Sequence, residues 1–300
     1  MQPLPLPLAE HALLEVIGWH RYLTRRQCWL YERPQDANSR PTYALLGRLA
    51  KRGLVGSGQV DGRGVAVYFL TPAGIKALPP ALRRDYQPSA EQAGFRYRHT
   101  WQVNEAGLAF VQAARERGDE CGPLALEHER RLRDTGDSAS LLIADGILQY
   151  ALQDSKTYDP RWAILEVDRR TAPGRICDRL RAYATIKRKK VLWSKVLPDG
   201  WPPVLFVISA DPSSGPRVGE KHWAGDPRAS SARTRRLTAY VADRMRDESL
   251  LRGLEVFFAP LPALLADGPF APIWHRPGHA EPLDWLGRPV MSAVSEGGAA

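Results

Sequence analysis

The chain has 300 residues, 44% of them apolar and 25% charged, enough for two ordinary cores and unlike a disordered or fibrous composition. A total of 42 Lys+Arg against 33 Asp+Glu leaves a net charge of +9, a field that attracts polyanions, and arginine, the better bidentate phosphate ligand, dominates the basic set. Three cysteines with no zinc-type spacing argue against a disulfide framework or a zinc finger. No secretory leader opens the chain and no apolar run approaches the ~18 residues of a membrane span, so a soluble, cytoplasmic protein with no membrane partner is expected.

In the first hundred residues, Leu13, Leu14, Val16, Ile17 and Trp19 mark a helix over 9–22. Thr24 caps a short helix through Trp29 and Tyr31. After a breaker-rich loop, Ser39 caps a third helix, with Tyr43, Leu45, Leu46, Leu49 and Ala50 inward and Gly53 at its end. Strand-like Leu54-Val55 and 65–70 flank the turn Asp61-Gly62-Arg63-Gly64, and Thr71-Pro72 opens a further helix. Three helices, a two-stranded wing and a helix make a winged helix-turn-helix over 1–78. Residues 79–97 read as a proline-bearing linker, 98–290 as a second domain and 291–300 as a flexible tail.

The second domain opens on the longest helix, 99–117, where Asn104 and Glu105 are expected to face solvent. A strand over 124–132 carries Glu129. Two further strands, 141–148 and 162–168, are apolar except for Asp145 in the first and Glu166 and Asp168 on one face of the second. A helix (175–187), a buried strand (203–209), a basic helix (232–245) and a last strand (254–259) follow, with irregular wrapping after Pro260. The expected class is α/β (α+β), a mixed sheet flanked by helices, and no GxGxxG or GxxxxGK[ST] loop points to a nucleotide fold. Buried carboxylates cost several kcal/mol, roughly, unless paired or metal-bound, so acids on adjacent strands suggest a metal site. Lys187, Arg188, Lys189 and Lys190 form the densest basic run, a place for DNA backbone or a solvated face. The histidines are scattered and form no ligand motif.

The phrase LLGRLAKRGLV…YFLTPAGIKAL resembles bacterial winged-helix regulators. That resemblance implies a DNA-reading helix carrying Arg40, Thr42, Tyr43, Arg48 and Lys51, with Arg63 at the wing tip. The HTWQVNEAGLAF helix, EHERRLR with Glu129, IADG with Asp145, and ILEVDRRT followed by RLRAY resemble the replication-relaxation family of plasmids and mobile elements. Its second domain in turn looks like a PD-(D/E)xK restriction-endonuclease core. The resemblance implies Asp145 and Glu166 as ligands of Mg²⁺ (or Mn²⁺), Glu129 as a further or supporting ligand, and a domain able to nick DNA. The implied partners are double-stranded DNA, a second copy of the chain, and plasmid replication or transfer proteins. Asp168 stands where that motif has its lysine, either as an additional catalytic carboxylate that binds a second metal or in a structural ion pair with Arg169, Arg170 or Arg179. The other reading is a non-catalytic DNA-binding regulator or initiator whose second domain serves oligomerisation or partner contacts.

Overall fold

The computed structural model describes residues 6–32, 38–60, 65–83, 93–128, 144–154, 157–193, 197, 200–210 and 223–285. Among them the chain is a mixed α/β protein with two sheets, in the order α1 (Leu8–His20), β1 (Leu23–Thr24), α2 (Arg25–Glu32), α3 (Arg40–Lys51), β2 (Val55–Val60), β3 (Val65–Leu70), α4 (Pro72–Ala77), α5 (Pro80–Arg83) and α6 (Ala93–Arg117). Then come β4 (Leu126–His128), β5 (Gly146–Asp154), β6 (Thr157–Asp168), α7 (Pro173–Arg188), α8 (Lys190–Trp193), β7 (Val204–Ile208), α9 (Pro227–Asp247), β8 (Val256–Pro260) and α10 (Leu261–Asp267).

The N-terminal helices bury the stripes that their sequence announces: Leu13, Leu14 and Ile17 of α1, and Leu45, Leu46 and Leu49 of α3. Thr24 opens α2 with a reciprocal cap. Its hydroxyl accepts from the Gln27 amide at 3.2 Å and the Gln27 side chain accepts from its own amide at 3.0 Å. Ser39, expected to cap α3, makes no side-chain bond there. Arg21, at φ 66°, ends α1 two residues early and turns the chain so that β1 joins β3 as a third strand, in the order β1-β3-β2, where the sequence suggested two. Thr71 caps α4 and also donates to Gly53 O at 2.6 Å, tying α4 to the end of α3. Gly74 is required here, because a Cβ would lie 2.0 Å from Leu54 O.

The second sheet runs β4-β5-β6-β7-β8, antiparallel through β6 and parallel beyond it. Helices cover both faces. Ile147, Ile164 and Phe206 meet Ile176, Leu180 and Leu237 of α7 and α9. On the other face Leu148, Leu165, Val167, Leu205 and Phe257 belong to the cluster that includes Val103, Leu108 and Phe110 of α6. Phe110, Tyr150, Trp274 and Trp285 interlock beside them, with Phe110 and Tyr150 each 5.4 Å from Trp285.

Helix α6 starts at Ala93, inside the stretch that reads as a linker, and is buried continuously from Trp101 through Val111. One side meets the sheet and another meets α1 and α2, and the two halves of the chain share one continuous apolar cluster. Asn104 and Glu105 therefore do not face solvent. Asn104 (0% exposed) donates to the Tyr22 carbonyl at 2.9 Å, and Glu105 receives both its 2.9 Å bonds from Arg26. The stretch after Pro260 is not all irregular either: Pro262 sits in the first turn of α10, where a missing amide costs nothing, and Leu261 and Leu264 are fully buried.

Candidate functional site

The β5–β6 register pairs Gly146 with Leu165, which brings Asp145, at the mouth of β5, beside Glu166 near the C-terminal end of β6. Asp145 accepts from His99 Nε2 at 3.0 Å on one oxygen and from the Val167 amide at 2.7 Å on the other. Glu166 is fully buried; Tyr183 OH bonds one of its oxygens and Arg179 Nη1 the other. The two carboxyls divide the charge between them. Burial pushes Asp145 up, but the His99 bond and charge, the Val167 amide and nearby Arg179 hold it below the usual carboxylate range. Burial, followed by the Asp145 charge, pushes Glu166 well above that range, and Arg179 and Tyr183 offset this only in part. Glu166 thus favours its neutral form and Asp145 its anion.

Asp168 lies on the same face of β6 and is engaged elsewhere. Arg233 of α9 holds its Oδ2 from Nε at 2.8 Å and from Nη2 at 2.6 Å, and the Thr171 amide donates to its Oδ1 at 2.9 Å. An ion pair was one of the two expectations for this residue. Its partner is none of the three arginines suggested by proximity in sequence.

Do these acids fit a divalent ion? Among the described residues no three His, Cys, Asp or Glu side chains gather as ligands. All four carboxylate oxygens of Asp145 and Glu166 already accept protein hydrogen bonds, and a guanidinium is bound where Glu166 would meet a cation. As arranged, the pair does not fit Mg²⁺, a hard ion that takes oxygen ligands in a near-octahedral shell.

Above Asp145 an open cleft of about 550 Å³ is bounded by His99 and by Arg169, Arg170, Arg175 and Arg179, with the start of α7 forming its rim. Sequence reasoning passed over His99 as one of several scattered histidines. Its place in the HTWQVNEAGLAF phrase, in the first two turns of the long helix, was the available signal.

The other residues picked out from the sequence fall in several places. Arg40 and Lys51 lie exposed on α3, and Tyr43 lies under the Arg25 guanidinium, 3.5 Å from its ring centre. Thr42 is fully buried and its hydroxyl bonds Glu32, so it offers no surface to DNA. Arg48 turns back to Glu10 at 2.7 Å. Lys187 and Arg188 end α7, with Lys189 and Lys190 directly after them, roughly 20 Å from Arg175 at the cleft rim at ~1.5 Å per residue. Cations there complement the carboxyl end of the helix, and Lys187 bonds Gly253 O. Glu129 and Arg63 lie outside the described residues, as does the stretch 291–300.

Residues 14–198 match the family described as replication-relaxation. The match covers the first sheet, strands β4 to β6 of the second and more than half of the chain: the protein belongs to the replication-relaxation family, whose name points to replication and relaxation. No curated protein and no solved structure matches it. No helix among the described residues is long and apolar enough to cross a membrane.

Proposed function

We propose that this chain binds double-stranded DNA in plasmid replication and relaxation, with residues 8–77 acting as a winged helix-turn-helix and the second sheet acting as an endonuclease-like frame that grips DNA without cutting it. The observation that carries the DNA-binding reading is the exposed face of α3, where Arg40, Lys51 and the Arg25–Tyr43 pair stand beside the β2–β3 hairpin, the geometry of a helix offered to a major groove. The non-cutting reading rests on the acids. Glu166 is held by Arg179 and Tyr183, and Asp168, at the position of the motif's lysine, is neutralised by Arg233.

A second reading is favoured by the meeting of Asp145 and Glu166 from neighbouring strands. In it Arg179 and His99, both over a third exposed, swing aside and the pair takes Mg²⁺ or Mn²⁺ to nick DNA. Incubating supercoiled plasmid with the protein and either metal separates the two. Binding without nicking is the expected result. Metal-dependent nicking that disappears in both Asp145→Ala and Glu166→Ala establishes the second reading instead. Failure of every duplex to shift at low salt defeats both. A second copy of the chain and other replication or transfer proteins remain proposed partners within this reading.

A further inference from the structure

The DNA-binding reading locates a recognition face on the N-terminal unit and has the second unit grip DNA without naming the residues that hold it. We propose that the cleft beside Asp145 is a phosphate-binding site for a DNA strand, with Arg169, Arg170, Arg175 and Arg179 as its cationic wall. This inference rests on the reading of the chain as a DNA-binding protein and adds a second, independent contact to it.

Three features point to phosphate. The first is charge: four arginines face one carboxylate across about 550 Å³, and that carboxylate already has a hydrogen bond from His99. Two of the guanidinium groups, those of Arg170 and Arg175, belong to exposed residues at the rim, where they can form the planar, bidentate bonds that phosphate oxygens accept. The second is the backbone. Helix α7, 16 residues long, begins at this rim with Ala172 in the capping position and no side-chain cap, and Thr171, Ala172 and Gly174 are all exposed. A Cβ on Gly174 would meet nothing within 4 Å, so small residues leave the positive end of the helix open to an approaching anion. The third is what the lining omits. Among the described residues that line the cleft the one aromatic ring is that of His99, which Asp145 already engages, so they offer a base no open platform on which to stack. A site with guanidinium groups and no stacking surface suits the sugar-phosphate backbone rather than a nucleobase, and it should hold DNA without regard to sequence.

The test uses the full chain and fluorescently labelled short duplexes and single strands of unrelated sequence, titrated across a salt series. The paired substitution Arg170→Ala and Arg175→Ala is made at exposed positions, and thermal unfolding verifies that the variant folds. The expected result is about tenfold weaker binding, similar for every sequence, with the salt slope reduced by about 1 to 2 as phosphate contacts are lost. Arg170→Lys with Arg175→Lys should restore the slope. Oligonucleotides with and without a 5′-phosphate identify the source: equal affinity points to internal diesters, and a 5′-phosphate preference that the Ala variant loses points to a strand end. Unchanged affinity and slope in the Ala variant, with binding lost in Arg40→Ala plus Lys51→Ala, overturns the cleft and leaves the DNA-binding reading intact. A wild-type chain that binds no DNA at low salt overturns both.

Discussion

Strand β6 has two faces built on opposite principles. Ala163, Leu165 and Val167 point toward α6 and join an apolar cluster that runs into the N-terminal helices. Ile164, Glu166 and Asp168 point toward α7 and α9, and two of the three are carboxyls buried to 4% exposure or less. The first face is ordinary core. The second keeps its acids only because helices on that side supply Arg179 and Arg233 as partners. Replacing such pairs with well-packed apolar groups is often neutral or stabilising, so stability alone does not account for them. Chemistry is therefore to be sought on the α7–α9 side, and mechanical integrity on the α6 side.

Substitutions should separate the two faces by size and by pH. Phe110→Ala, which empties the aromatic cluster under α6, should cost about 3–5 kcal/mol in urea unfolding. A loss under 1 kcal/mol would mean that this face is not the core described. On the other face, Arg233→Ala strands Asp168 and should cost about 3 kcal/mol, while Arg233→Met with Asp168→Leu should recover most of it.

The pH dependence should run in opposite directions. Burial lowers His20, packed among Asn104, His128 and Tyr31 on the α6 side, to about 4. The unfolded chain therefore takes up a proton below about 6.5 that the folded chain refuses, and roughly 3 kcal/mol is lost between there and about pH 4. A His20→Gln variant should show a flatter acid limb. Glu166 has the reverse sign: its raised folded pKa gives stability that is full below about 4.5 and lost as pH rises through the folded value. Glu166→Gln, about 1 kcal/mol or less destabilised at pH 4.5, should gain on the wild type as pH rises. Parallel pH curves for the two proteins would count against a neutral Glu166. Smallest of all, Arg246→Ala breaks an exposed pair with Asp243 and should stay within about 0.5 kcal/mol.

Much of this was legible in the sequence because periodicity reports which side of an element is wet. It placed β3, β6, β7 and β8 closely, missed β1 and set β5 several residues too early, and with the family resemblance it put Asp145 and Glu166 on neighbouring strands. What it could not supply was the choice of partner. Arg233 reaches Asp168 from 65 positions away, and His99 reaches Asp145 from a helix on another side of the sheet. Asn104 and Glu105 look like solvent-facing residues because a long helix normally has a wet side, and α6 has almost none between Trp101 and Val111.

That buried helix has a consequence for heredity. Along α6, contacts to the first unit are interspersed with contacts to the second: Gln102 bonds Ser209, Asn104 bonds His20, Glu105 bonds Arg26, and Gly107 packs under Leu126. A single inserted residue would turn everything beyond it by about 100° and scramble both sets at once. The two units cannot be exchanged like beads on a string. A lineage that acquires a new N-terminal unit must redesign this helix with it, or inherit the pair as one piece.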